Sequence, residues 1–175
     1  MNSAPKLDLS DRVLGVSAGP IPLGDRAAIR DTGLLMASQA ARELRIFSRD
    51  LDAVLYDHQD FLAAVRRLSL TRRELPVRVL AFEAQTAVRR GHRLIELARQ
   101  LTSKIAIRRV PADYEQNTEA YLLADDRGYV LRPIADVWAG TADFCDPLQG
   151  RRLGAEFERI WELSDTHPEL RRLFI

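Results

Sequence analysis

Three stretches of the chain carry side chains of the types and spacing that chemistry requires. Gly15-Val16-Ser17-Ala18-Gly19 has the G-x-S-x-G form of a nucleophile elbow, in which a serine on a strained strand-to-helix turn faces oxyanion donors. Such an elbow needs a helix behind it, and Pro20-Ile21-Pro22 stop one from starting, so the segment reads as a small-residue loop. Ser48-Arg49-Asp50-Leu51-Asp52 sets one guanidinium beside two carboxylates directly after an expected strand. That position is a carboxyl edge, where open α/β sheets place polar ligands. A solvated turn with Arg49 paired to a neighbouring carboxylate explains the same residues. His92 follows Gly91 and lies beside the stripe of Val88 and Ile95, the setting of a satisfied core histidine.

Other constellations are thinner. Tyr114, Tyr121 and Tyr129 stand near Arg108, Arg109, Arg127 and Arg132, an aromatic and basic mixture found on nucleic-acid surfaces. Core or half-buried tyrosines on strands are the commoner explanation. No P-loop, dinucleotide-binding glycine motif, H-E-x-x-H pair or cysteine pair is present, and His58, His92 and His167 are far apart. The acetyl-CoA signature R/Q-x-x-G-x-G/A is missing too, since Arg151-Arg152-Leu153-Gly154-Ala155 ends in Glu156. No cofactor and no metal is therefore expected.

Composition bounds the rest. The 175 residues, 46% hydrophobic and 29% charged, fit one globular domain and exclude disorder and collagen-like repeats. A net charge of +1 excludes a dedicated nucleic-acid cage or polybasic anchor. No apolar run reaches the ~20 residues of a membrane-spanning helix. The single cysteine, Cys145, and an amino terminus without the features of a secretory signal make the cytoplasm the expected location.

The elements that must position these residues follow from periodicity. Residues 1–25, with Pro5, Pro20, Pro22 and three glycines, read as an irregular arm with at most a short strand around Val13–Val16. Residues 26–175 read as a single α/β domain. A weak helix is expected over 25–42, then strands at Leu44–Ser48, from Val77 after Pro76, and at Lys104–Val110. Between them lie a helix capped by Asp57, with Phe61, Leu62, Val65 and Leu68 on one face, and one long helix over 84–101. This α-β alternation predicts a mixed, mainly parallel sheet flanked by helices on both faces. Strands at Ala120–Ala124 and Tyr129–Leu131 around Asp125-Asp126-Arg127-Gly128 add an antiparallel hairpin. One further strand over Val137–Phe144 and a helix after Pro147, burying Leu153, Phe157, Ile160 and Trp161, close the domain.

In this order the elements resemble one half of a phospholipase D-like (HKD) fold over roughly residues 27–164. Ala120-Tyr121-Leu122-Leu123-Ala124-Asp125 sits where that family carries its H-x-K-x-x-x-x-D strand. Gly140-Thr141-Ala142-Asp143 resembles the G-S/T-x-N segment with Asp for Asn, and Phe157 and Trp161 resemble the F-x-x-x-W helix ending. With Asp125 as the motif aspartate, Thr118 and Ala120 replace the histidine and lysine; with Asp126, Glu119 and Tyr121 do. Family chemistry runs through a phosphohistidine, so either register lacks the nucleophile and the phosphate-holding cation.

The resemblance thus implies a non-catalytic domain of a bacterial protein, with no catalytic residue, binding an anionic ligand or a protein partner. Active members join two halves, which implies a homodimer. Arg49, Asp50, Asp52, Arg132 and Asp143 are the expected ligand-binding residues of the remaining cleft. The enzymatic alternative is a phosphodiesterase or phosphatase with a site relocated to Asp50, Asp52 or His92, with a divalent metal for which two carboxylates are few ligands. A nucleic-acid-binding module on the Arg–Tyr surface is the third reading.

Overall fold

β-Branched and aromatic runs bounded by prolines and aspartates form one mixed sheet in this computed structural model, which describes residues 7–167 and Leu170. The strands are β1 (Ile21–Leu23), β2 (Leu44–Ser48), β3 (Val77–Ala81), β4 (Ile105–Arg109), β5 (Ala120–Ala124), β6 (Gly128–Arg132), β7 (Gly140–Asp143) and β8 (Asp165–Thr166). Their order across the sheet is β1-β7-β6-β5-β2-β3-β4-β8. β2, β3 and β4 are parallel, in the register Leu44–Val77–Ile105. All the other pairings are antiparallel, so the antiparallel part extends well beyond the expected hairpin. β1 adds a strand at Ile21–Leu23, whereas the segment around Val13–Val16 turns.

Alternation along the strands divides the core in two. Leu44, Ile46, Val77, Val79, Ile105 and Ile107 face one layer of helices: α1 (Arg26–Gln39), α2 (Ala53–Tyr56), α3 (Gln59–Ser69), α4 (Gln85–Arg89) and α5 (Arg93–Gln100). Phe47, Leu80, Tyr121 and Leu123 face α6 (Pro147–Glu162) on the other side, meeting Leu153, Phe157, Ile160 and Trp161. α6 lies close to the sheet because Gly150 and Gly154 lack a Cβ. At Gly154 a Cβ would sit 2.8 Å from both the Arg45 guanidinium and the Asp126 carboxylate.

Two local expectations are corrected. The long helix over 84–101 is interrupted: Gly91, at φ +67°, ends α4 in the left-handed conformation that glycine adopts freely. His92 then caps α5, its Nδ1 accepting from Leu94 N at 3.3 Å. Likewise α3 is capped by His58, not Asp57. Asp57 instead takes the Arg93 guanidinium at 2.7 Å and so joins the start of α3 to α5. Among the described residues no helix is long and apolar enough to cross a membrane.

Candidate ligand-binding site

The carboxyl ends of the three parallel strands define one edge of the sheet. The antiparallel pairing of β5 with β2, and of β6 with β5, brings the start of β5 and the end of β6 to that same edge. Residues 49–52, 82–84, 110–119 and 133–139 therefore converge there. Asp125, Asp126 and the end of β7 lie at the opposite edge.

The 49–52 loop is held firmly by its middle residue. Leu51 is 1% exposed and takes a left-handed φ of +57°. Its N–H donates to Ser48 Oγ at 3.1 Å, and its carbonyl lies 3.0 Å from His92 Nε2. With Nδ1 accepting from Leu94, Nε2 carries the proton and donates to Leu51 O. His92 is 2% exposed, and burial holds its imidazole below the ordinary value, opposed by Asp57 and by the bond to Leu51. It fastens the loop from beneath and lines neither cavity at this edge.

Arg49, Asp50, Asp52 and Arg132, four of the five residues expected from sequence, line one cavity of about 180 Å³ with Asp136 and Trp138. Arg132, 3% exposed, donates from Nη2 to Asp52 Oδ2 at 3.0 Å and from Nη1 to Ala135 O at 2.7 Å. Its guanidinium also lies 4.8 Å from the centre of the Trp138 ring, and Arg26 lies 4.7 Å from it. Partial burial and then the neighbouring Asp52 carboxylate push the Asp50 carboxyl above its ordinary value, with Arg132 opposing.

Among the described residues Arg49 does not pair with a carboxylate as a solvated turn would have it. Its guanidinium rests on the Phe82 ring at 4.4 Å and donates from Nη2 to Asn117 O at 3.1 Å and Glu115 O at 3.4 Å. It forms the wall between the small cavity and a polar groove of about 570 Å³ that continues past Glu83, Arg109 and Asp165.

Asp143, the fifth expected residue, is placed elsewhere. It ends β7 at the far edge and is 5% exposed. Its Oδ2 accepts from Gly19 N at 3.1 Å and its Oδ1 from Cys145 N at 2.9 Å, so it fastens the N-terminal arm. Asp136, Trp138 and Arg26 were missed. An aromatic and an acid in a proline-initiated loop were the available signal, obscured by assigning 137–144 to a strand.

The positions aligned with the HKD motif are equally informative. Thr118 lies at the cleft edge, donating from Oγ1 to Pro133 O at 3.0 Å. Ala120 is buried and pairs directly with Arg132 across the strands. Asp125 stands at the other end of β5 and accepts the N–H groups of Ala41, Arg42 and Glu43 at 2.8, 2.8 and 2.9 Å. Tyr121 is 1% exposed and stacked on Phe47 at 5.2 Å, and Tyr129 is also buried, so neither presents a ring face to a base. Ser17 holds its own turn, accepting from Val13 N at 2.9 Å. Among the described residues no group of three or more His, Cys, Asp or Glu is placed to hold a metal ion.

A three-stranded parallel core extended by an antiparallel hairpin and closed by a helix stacking Phe157 on Trp161 is a phospholipase D-like fold. The chain is similar to Nuc from Salmonella typhimurium, described as a phospholipase D family member, with a TM-score of 0.58 at 12% identity, over 85% of this chain and 99% of that one. It is similar to NucT from Helicobacter pylori with a TM-score of 0.61 at 10% identity, over 85% and 98%. It is also similar to the archaeal chromatin protein TrmBL2, whose structure is described as showing a novel mode of DNA binding. There the TM-score is 0.63 at 13% identity, over 91% of this chain but 57% of that one. The sequence itself belongs to the family described as "Domain of unknown function (DUF7931)", matched over residues 25–173. No curated protein sequence matches it.

Proposed function

We propose that this chain is a non-catalytic phospholipase D-like domain of a bacterial cytoplasmic protein, binding a ligand at the carboxyl edge of β2–β4 and working as a homodimer. One observation carries the reading. With Asp125 as the motif aspartate, the positions of the family's histidine and lysine hold Thr118, engaged with Pro133 O, and buried Ala120; with Asp126 they hold Glu119 and buried Tyr121. A threonine hydroxyl that donates to a backbone carbonyl does not replace the imidazole of a phosphohistidine step. A cation does stand directly across from Ala120, Arg132, but Asp52 already pairs with it. The four expected residues gathered around one cavity support a retained binding site.

The relocated hydrolase is weakened by His92, which points to Leu51 O and not into the cavity. The nucleic-acid module is weakened by the burial of Tyr121 and Tyr129. Support for the dimer comes from size, since the chain spans nearly the whole of the Nuc structure and so corresponds to one such unit. The test is turnover of bis(4-nitrophenyl) phosphate with and without Mg²⁺ and Mn²⁺, beside gel filtration with light scattering. Background hydrolysis and a dimer mass at tens of micromolar are expected. Turnover that Asp50→Ala removes from a folded protein overturns the non-catalytic reading, and a monomer at every concentration overturns the dimer.

A further inference from the structure

The charge around the 180 Å³ cavity is the wrong sign for a phosphate. Its lining sets three carboxylates, Asp50, Asp52 and Asp136, against two guanidiniums, Arg49 and Arg132. Arg132 and Asp52 cancel each other at 3.0 Å. What remains unpaired is two carboxylates, Asp50 and Asp136, and one guanidinium, Arg49. Among the described residues neither Asp50, Asp136 nor Arg49 makes an ion pair. A phosphate dianion entering here meets more repulsion than attraction; burial already raises the Asp50 carboxyl, and Asp52 and Asp136 add to it.

Arg49 is nevertheless prepared to hold an anion. Stacking on Phe82 and two bonds from Nη2 fix its plane before any ligand arrives. A guanidinium so fixed loses little freedom on taking a carboxylate. It lines the small cavity together with Asp50 and Asp136, so an anionic group on it leaves the rest of the ligand among those carboxylates. The floor is buried Arg132 stacked with Trp138, a rigid polar surface and not a mobile side chain.

The geometry points to a small zwitterion as the ligand of this cavity: an amino carboxylate, its carboxylate on Arg49 and its ammonium between Asp50 and Asp136. The ligand's carboxylate meets the one unpaired guanidinium and its ammonium meets the two unpaired carboxylates. A cavity of this size, below the ~300–1,000 Å³ of drug-sized sites, suits a molecule of the glycine to 4-aminobutyrate scale. This inference rests on the reading of the edge as a binding site. Its failure is read in binding, whereas the non-catalytic reading fails only in turnover.

The experiment is saturation-transfer NMR and calorimetric titration of the full chain with glycine, β-alanine and 4-aminobutyrate. Butyrate, n-butylamine and inorganic phosphate serve as comparison ligands with one charge sign each. At least one amino carboxylate is expected to bind ten-fold or more tighter than butyrate and butylamine, with phosphate weaker than any amino carboxylate. Arg49→Gln and Asp136→Asn, both at partly or fully exposed positions, should each weaken that binding ten-fold or more while the circular dichroism spectrum is retained. Phosphate binding tightest, butylamine or butyrate alone binding as well as the zwitterion, or no binding by the three amino carboxylates overturns the proposal. So does amino-carboxylate binding that both variants leave unchanged.

Discussion

Asp125 is one of the two candidates for the motif aspartate, yet among the described residues its side-chain hydrogen bonds all go to backbone, which makes it a test of whether that position is structural here. Its Oδ1 accepts from Arg42 N and Glu43 N and its Oδ2 from Ala41 N. These bonds fix the chain as it enters β2, while Asp125 itself sits at φ +54° in the hairpin turn. Hydrogen bonds to a charged group are worth roughly 1.5–3 kcal/mol each. Three do not add in full, because Ala41 and Arg42 are exposed and their N–H groups recover water, whereas Glu43 is 4% exposed and its N–H does not. Asp125→Ala therefore costs about 3 kcal/mol, part of it from alanine in a left-handed conformation, a penalty of roughly 1–2 kcal/mol. Asp125→Gly removes that strain but not the lost bonds, and Asp125→Asn keeps one acceptor oxygen and tolerates the turn. The expected order of destabilisation is Ala, then Gly, then Asn at about 1 kcal/mol. For a domain of this size about 3 kcal/mol lowers the melting temperature by roughly 6–12 °C. Urea unfolding followed by far-ultraviolet circular dichroism measures the series, with unchanged m-values as the control. An alanine variant within about 0.5 kcal/mol of the parent refutes the reasoning, as does one that loses ligand binding at undiminished stability.

Three further outcomes are expected. Asp52→Ala should cost about 2–4 kcal/mol and Arg132→Met less, because the first leaves a guanidinium that is 4% exposed unpaired, while the second leaves a carboxylate, 24% exposed, that water reaches; equal losses in urea unfolding contradict that asymmetry. His92 is held below its ordinary value in the folded state, so its contribution to stability is complete above about pH 6.5 and is lost as pH falls toward the folded value. The slope of stability with pH between 6.5 and 5 should accordingly be shallower in His92→Asn than in the parent. Gly154→Ala should destabilise by about 1–2 kcal/mol despite the gain of about 1 kcal/mol in helix propensity, since the new Cβ intrudes on the Arg45–Asp126 pair; a higher melting temperature would show that α6 shifts to make room.

The Arg45–Asp126 pair belongs to a network that amino-acid order did not suggest. Arg45, 7% exposed, meets Glu43 at 3.1 Å, Asp126 at 2.6 Å and Glu158 at 3.0 Å, and Arg78 takes Glu158 at 2.6 Å. It fills the end of the α6 layer that the aromatic cluster of Phe157 and Trp161 leaves open. Burial works against the charge of Glu158, but the bonds from Arg78 and the nearby Arg45 prevail and hold its carboxyl below the ordinary value. In a strand, Arg45 and Arg78 alternate with apolar residues and read as solvent-facing. Only a helix laid across them makes them interior.

Periodicity by itself determined the elements whose apolar spacing is unambiguous. β2, β3 and β4, the β5–β6 hairpin and the buried faces of α3 and α6 lie where the pattern put them, because side-chain alternation of two or of 3.6 is a property of each segment alone. The carboxyl-edge position of Arg49, Asp50 and Asp52 followed from the same local logic. Tertiary structure alone decided the rest. Strand order brought Arg132 and the 133–139 loop onto that edge and sent Asp143 to the other, since antiparallel neighbours reverse which end of a strand is the mouth. Gly91 divided a helix whose apolar stripe runs on without interruption, because the left-handed turn is set by where α5 must pack. The partners of His92, Arg49 and Asp125 are 41, 68 and 82–84 residues away at their most distant contacts, and no local pattern encodes separations of that length.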